Sequence, residues 1–222
     1  MMTFRRAGCF RAGIRGIIPH GLLWSVASSC ALAPSPVTSG SGGGDPLPPP
    51  GYGTLRQDEV TVAFSSGELE IKVTPLDRSV ILVTAPDTYQ RLARLSDMHE
   101  SANAPPREGA GASPLFLVSF FSDSPDVAFV PEELQLISRG LRYRPTAIRP
   151  VTPGWGQRRL EQRRTETAVY VFGPGVDLES DLTVAYGLVQ SQAWNSILPR
   201  VRAERARARS RAGVAVLLTG RP

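Results

Sequence analysis

Few side chains in this sequence could carry out catalysis. Its 222 residues include two histidines, His20 and His99, and two cysteines, Cys9 and Cys30. A hydrolase with a serine or cysteine nucleophile needs a base beside it, most often histidine, and only His99 lies outside the N-terminal segment. The sequence also contains no Gly-x-Ser-x-Gly nucleophile motif. We therefore predict no catalytic residue and no cofactor.

One acidic segment could still bind a cation. Asp177, Glu179 and Asp181 stand at alternate positions, and in extended chain such side chains point to one side. Calcium binds six to eight oxygen ligands, many of them carboxylates. These three residues are the candidate metal ligands, for calcium only, and otherwise no metal is expected. They are also the candidate acids of an alternative function, a hydrolase.

Two basic regions could contact a partner. A tryptophan between two glycines, Trp155, can be exposed on a loop and bind a partner, or it can fold back over the core. Arg158 and Arg159 follow it closely, and residues 200–211 are rich in arginine and alanine. The candidate contact residues are Trp155, Arg158, Arg159, Arg200 and Arg207. A polyanion- or membrane-surface-binding module is the corresponding alternative.

The charge distribution argues against nucleic acid. The formal net charge is +5, but residues 55–195 carry more acidic than basic side chains. The excess arginines lie before residue 30 and after residue 196. Nucleic-acid-binding domains carry their basic residues on the folded surface that docks, so we expect no nucleic-acid partner.

The N-terminal residues have the order of a secretory signal. Residues 1–15 are basic and free of acid, residues 16–29 are mostly apolar or small, and Cys30 follows. A basic segment, a short apolar segment and a small-residue cleavage zone are typical of such signals. An ordinary signal cut after Ala31 or Ala33, which gives a secreted protein, and a wrongly assigned start on a cytosolic protein remain alternatives.

The segment Val26-Ala27-Ser28-Ser29-Cys30 resembles the lipobox of bacterial lipoproteins. In that family the cysteine becomes the new N-terminus and its sulfur carries a diacylglyceride. The resemblance implies lipidation at Cys30, a membrane partner through the lipid, and a lipid-anchored location in the cell envelope. It covers only about the first 30 residues.

Composition divides the chain into four parts. Residues 1–29 are the signal, residues 30–54 the lipidated cysteine and a linker rich in Pro, Gly and Ser, and residues 55–195 one domain. Residues 196–222 form a basic C-terminal helix and tail. A Pro/Gly-rich segment with few apolar residues cannot offset the entropy of ordering, which is why residues 30–54 are assigned to a linker.

The domain pattern predicts an all-β sandwich of about eight or nine strands. Apolar residues alternate through 60–64 and 69–74 around a Ser/Gly turn, and 115–121 is apolar on both faces. Further strands are expected over 80–84, 134–138, 141–143, 147–151, 167–172 and 181–186. One inserted helix, with Leu92, Leu95 and Met98 inward, is expected from Asp87 to Glu100.

These patterns together favour a cell-envelope lipoprotein with a non-catalytic interaction or structural module, and with an envelope protein as its partner. The C-terminal helix is expected to begin near Ser196 and to dock only through Trp194, Ile197, Leu198 and Val201. Because its other residues are mostly Arg and Ala, it is expected to contribute little to folding.

Overall fold

The computed structural model describes residues 46–100 and 113–219, with side chains up to residue 215. The signal segment, Cys30 and most of the linker lie outside the described residues. The chain divides into two compact units, and everything described belongs to the second, Gly44–Pro222.

Strands dominate the described part of the chain, where eleven are present rather than the expected eight or nine. All neighbouring strands are antiparallel. In chain order the strands are β1 (Val62–Ser66), β2 (Leu69–Pro75), β3 (Leu115–Ser122), β4 (Val127–Ala128), β5 (Leu134–Ser138), β6 (Leu141–Tyr143), β7 (Pro145–Pro150), β8 (Arg159–Leu160), β9 (Arg164–Phe172), β10 (Leu182–Tyr186) and β11 (Val189–Ser191).

Two sheets pack face to face and confirm the predicted all-β sandwich. The five-stranded sheet has the order β1-β2-β3-β9-β7 and the four-stranded sheet the order β11-β10-β5-β6, while β4 and β8 pair separately. β3 is central, as its apolar run predicts, and β7 lies at an edge, as its prolines predict. Inward residues of both sheets, among them Phe116, Tyr170, Leu136 and Val184, form one core cluster.

A helix covers part of the other face of the five-stranded sheet. Helix α2 (Pro86–Glu100) confirms the predicted inserted helix and begins one residue early. Its Leu92 is buried in a second cluster with Leu117 and Val169 of the sheet. Met98, expected inward, is 61% exposed. The buried positions are instead Thr88, Leu92 and Ser96, four residues apart, so one row of the helix faces the sheet.

The strand predicted over 80–84 is wrong. The chain there forms a single turn of helix, α1 (Arg78–Ile81), because the Asp77 carboxylate accepts a hydrogen bond from the Ser79 N–H at 2.7 Å. Such a cap satisfies a backbone donor at the helix start. The apolar residues that suggested a strand, such as Val80 and Val83, are buried in the core without joining a sheet.

Helix α3 (Trp194–Thr219) is longer and more deeply docked than expected. Trp194, Ile197, Leu198 and Val201 are buried in the core cluster as predicted. Ser196 does not cap the helix but lies inside it. The burial extends further, to Glu204, Arg205, Ala208 and Ala212. Helix α3 therefore packs on the core beyond the expected domain boundary at residues 195–196, and we expect it to contribute to folding.

The last part of the expected linker also belongs to the domain. Pro48 and Gly53 are buried, and the Leu55 N–H donates to the Val83 carbonyl oxygen at 3.1 Å. A Cβ on Gly53 would lie 2.2 Å from the Val83 carbonyl carbon, so only glycine allows this approach. Residues 46–54, which the sequence assigns to the linker, thus pack against the domain.

Among the described residues, no helix combines the length and the apolar composition needed to cross a membrane.

Candidate functional site

The strand register separates two ends of the sandwich. Ser122 pairs with Arg164 at one end of the β3–β9 ladder, and Leu115 pairs with Val171 at the other. β9 has nine residues and therefore spans about 27 Å. Residues 122–133 and 151–166 form what we call the β4–β8 end. Helix α3 docks at the opposite end, where the Leu182 N–H donates to the Asn195 side chain at 3.1 Å.

Trp155 forms the floor of the β4–β8 end and is not a surface residue. It lies in the 3₁₀ helix Pro153–Gln157 and is 6% exposed. Its ring centroid is 5.1 Å from that of Phe129, 5.8 Å from Phe120 and 6.1 Å from Tyr170. The structure thus shows the second alternative for Trp155: its ring folds back over the core, so this candidate contact residue is not exposed.

Polar contacts fix this loop to β9. The Thr152 hydroxyl donates to the Glu166 carboxylate and accepts from the Thr167 N–H, the latter at 2.9 Å. A Cβ on Gly154 would lie 2.1 Å from a Glu166 carboxylate oxygen. Glycine at 154 thus allows the carboxylate to pack directly on the loop backbone.

Two buried tyrosines hold the neighbouring segment. The Tyr186 hydroxyl accepts from the Val130 N–H at 2.9 Å, and the Tyr170 hydroxyl donates to the Pro131 carbonyl oxygen at 3.0 Å. Burial raises the pKa of both phenols, because a phenolate would lose its hydration. Both tyrosines are therefore neutral structural groups near neutral pH.

Ion pairs line the rim of this end. The predicted contact residues Arg158 and Arg159 are both exposed, and each pairs with a carboxylate that comes earlier in the chain. The bond from Arg158 to Glu132 measures 2.6 Å, and Arg159 contacts both carboxylate oxygens of Asp126. That hydrogen bonding, with the charge of the guanidinium, lowers the Asp126 pKa. The rim thus presents alternating charges rather than a basic patch.

The backbone at the rim is strained. Asp126, Arg158 and Arg163 have positive φ angles of 61°, 53° and 56°, which side chains with a Cβ seldom adopt. Residues in such conformations need support from their surroundings and cluster at functional sites. Three of the four non-glycine residues with positive φ in the described ranges lie at the β4–β8 end.

Three surface depressions open on this end. One of about 330 Å³ lies between the Pro153–Gln157 turn and β9, and is lined by Thr152, Gln157, Arg164 and Glu166. A second of about 320 Å³ adjoins it beside Pro125 and Gln162. A third of about 290 Å³ lies over Trp155 and Ile148, between Glu132 and Arg158. These volumes are at the lower limit for small-molecule pockets.

The three candidate calcium ligands do not converge. Asp177 binds Arg139 and accepts the Glu179 N–H, whereas Glu179 binds Arg202 and Arg205 of α3. Burial alone would raise the pKa of both carboxyls, but these hydrogen bonds and the arginine charges outweigh it and lower both pKa values. Within residues 46–100 and 113–219, no group of three or more potential ligands could hold a metal ion.

The remaining candidate arginines are exposed on α3. Arg200 lies 4.0 Å from the Glu59 carboxylate, and Arg207 lies 3.2 Å from Glu204. Glu204 is the single acidic residue among the α3 arginines and is 2% exposed. Sequence reasoning treated it only as a charge and missed its role. The isolated acid within an arginine-rich helix is the signal that could have found it.

His99 lies next to Arg149 and is partly buried. Arg149 donates to its backbone carbonyl oxygen. Partial burial and the nearby arginine charge both lower the pKa of its imidazole, because each disfavours the cationic form.

No protein-family model, no curated protein and no solved structure matches the chain.

Proposed function

We propose that the chain is a bacterial cell-envelope lipoprotein, anchored through Cys30, whose sandwich is a non-catalytic module that binds an envelope protein with its β4–β8 end. The observation that carries the proposal is the separation of the two ends. The N-terminal segment and α3 meet at one end, whereas the mixed-charge rim, the strained backbone and the depressions gather at the other.

The rim supports a protein partner rather than a small ligand. Its depressions are small and open, and its charges alternate in sign. Protein interfaces have polar, solvent-accessible rims, and complementary charges there favour the correct partner. The aromatic residues beneath, including Phe129 and Trp155, hold the loops rigid, which lowers the entropic cost of binding.

The acidic segment at 177–181 supports a non-catalytic role. A general acid must hold a proton near the working pH. Asp177 and Glu179 have lowered pKa values and each carries an arginine partner, so they are charged and structurally engaged. Their contacts explain why acidic residues stand at this place without a catalytic function.

A photo-crosslinking amino acid at Gln157 of the full-length protein tests the partner site. Gln157 is exposed and lines two of the depressions. The matched control is Gln190, which is also exposed but lies on β11. We expect one discrete crosslinked protein from position 157 and none from position 190. Equal crosslinking from both positions, or none from 157, would contradict the site.

The anchor requires a separate measurement. Mass spectrometry of the mature N-terminus should show an acylated Cys30, and Cys30→Ser should move the protein from the membrane to the soluble fraction. An intact mature chain with unmodified Cys30 would refute the lipoprotein proposal.

A further inference from the structure

The N-terminal segment of the folded unit is clamped along α3. Thr54 donates to the buried Glu204 carboxylate through its N–H at 3.1 Å and its hydroxyl at 2.8 Å. Arg211 binds the same carboxylate and donates to the Tyr52 carbonyl oxygen, at 2.9 Å from its Nε. Arg209 donates to the Pro46 carbonyl oxygen at 2.9 Å. The chain therefore runs beside α3 as far as Pro46.

This clamp determines where the preceding chain leaves the domain. Positions 30 and 46 are 16 residues apart, and a chain of that length spans at most about 55 Å. A lipid on Cys30 would thus hold α3 within a few nanometres of the membrane. Without the clamp, the tether would extend to Leu55.

Exposed residues on α3 combine positive charge with an apolar side chain. Arg200, Arg207 and Val214 are spaced seven residues apart on α3, which places them on one side of the helix. The exposed fractions of the Arg200 and Arg207 side chains are 51% and 62%, and Val214 is 57% exposed. We call these three residues the exit face.

We propose that the exit face docks on the anionic phospholipid surface of the membrane that carries the Cys30 anchor, a proposal that rests on the proposed lipidation. The guanidinium groups of Arg200 and Arg207 bind lipid phosphates, while Val214 enters the headgroup region. Basic and apolar residues on one helix face are the combination that interfacial helices use. The β4–β8 end, at the opposite end of the strands, then faces away from the membrane toward a partner.

The exit face has charge complementarity with such a surface. Along α3 the arginines are accompanied by one acidic residue, Glu204, and that residue is buried. The pair between Arg207 and Glu204 engages Nε of the arginine. Each arginine near an anionic membrane contributes about 1 kcal/mol, about a five-fold change in the docking equilibrium.

Quenching by brominated lipids measures this docking in the anchored, full-length protein. The probe is Val214→Trp, and the control is Leu188→Trp, because Leu188 is fully exposed in the β10–β11 turn. The proposed mature chain begins at Cys30 and so lacks Trp24, and its native Trp155 and Trp194 are buried and give a constant background. In vesicles of brominated phosphatidylglycerol we expect quenching of the probe at 214 and none at 188. Vesicles of brominated phosphatidylcholine should quench position 214 less.

Charge removal tests the arginines. In the Val214→Trp background, Arg200→Gln with Arg207→Gln should weaken docking about 25-fold and remove its salt dependence. The matched control is Arg142→Gln on β6, which should leave quenching unchanged. Unquenched Val214→Trp in phosphatidylglycerol, or equal quenching at 188, would overturn the docking.

The same preparation separates the two proposals. If mass spectrometry finds Cys30 unmodified, the lipoprotein proposal fails. The Cys30 thiol is then coupled to a maleimide lipid in a chain that carries Cys9→Ser and Trp24→Phe, which restores the tether without an added tryptophan signal, and the quenching experiment still decides whether the exit face docks. If Cys30 is acylated and position 214 is unquenched, only the docking fails.

Discussion

At the scale of single residues, the environment of Glu204 has a large expected effect on stability. Its carboxylate is buried and joins α3 to the N-terminal segment through Thr54, with Arg207 and Arg211 on the same group. Burial alone would raise its pKa, but the hydrogen bonds from Thr54 and Arg211 and the charges of both arginines outweigh burial and lower it. The carboxylate is therefore charged when the protein is folded.

Glu204→Gln should lower the free energy of unfolding by about 1–3 kcal/mol, because it replaces the charged acceptor of Thr54 and Arg211 by a neutral amide. The control is Glu68→Gln, since Glu68 is exposed in the β1–β2 turn and should change stability by less than about 0.5 kcal/mol. Urea denaturation of both variants measures the difference. Equal stabilities would mean that Glu204 does not hold the segment.

The same carboxylate predicts how stability changes with pH. Since the folded-state pKa of Glu204 lies below its ordinary value of 4.5, its contribution is fully present above pH 4.5. It is lost as the pH falls through the lower folded-state pKa. Glu179 and Asp177 act in the same direction. Between pH 6 and pH 3, Glu204→Gln should therefore lose less unfolding free energy than the parent; a loss equal to that of the parent would contradict the assignment.

At the scale of elements, sequence periodicity predicts strands well and irregular segments poorly. Alternation and continuous apolar runs predict β2, β3, β9 and β10 because their buried faces impose period two. The 80–84 run failed because an Asp77 cap and the end of β2 at Pro75 override the strand preference of Val and Ile. Asp77 is a local signal for a helix start, which the prediction of a strand did not use.

The contacts of α3 show that sequence periodicity also predicts the candidate site only in part. The arginine contacts join residues far apart in sequence, such as Arg211 with Tyr52 and Arg202 with Glu179, and no periodicity reveals them. The exposure of Arg158 and Arg159 follows from their charge and could be predicted. Trp155 points inward because its ring fits beside Phe129. The sequence does not show that this space exists.

Helix α3 should be essential to the sandwich. Trp194 is fully buried and its indole N–H donates to the Leu178 carbonyl oxygen at 3.1 Å. Trp194→Ala should therefore lower the free energy of unfolding by about 3–5 kcal/mol, from lost packing and an unsatisfied carbonyl. Gln192→Ala, at an exposed position just before the helix, is the control. A Trp194→Ala melting temperature close to that of the control would show that α3 docks loosely.

At the scale of the whole molecule, the two ends of the strands differ in structure. One end receives the N-terminal segment and α3, and there arginines bind backbone carbonyls and buried or half-buried carboxylates. The other end exposes loops whose strained conformations rest on an aromatic core. Loops held by a rigid scaffold are common binding surfaces. This arrangement allows the proposed anchor and the proposed partner site to act without interfering with each other.

The start of the folded unit gives the sharpest test of this organisation. A chain that begins at residue 46 keeps Thr54, Tyr52 and the buried Pro48, so its free energy of unfolding should stay within about 0.5 kcal/mol of the parent. A chain that begins at Leu55 lacks the Thr54 donors, leaves Glu204 buried with fewer partners, and exposes apolar surface along α3.

That shorter chain should lose about 2–4 kcal/mol, because a buried charged group short of partners costs about 1–3 kcal/mol and the lost burial adds to it. Urea denaturation of both chains measures the difference. A third chain that begins at residue 46 and carries Thr54→Val loses only the hydroxyl hydrogen bond, because the N–H of position 54 still donates to Glu204, and it therefore separates that bond from the burial. If the chain that begins at Leu55 were as stable as the parent, residues 46–54 would be a true linker and the exit point of the tether would move to Leu55.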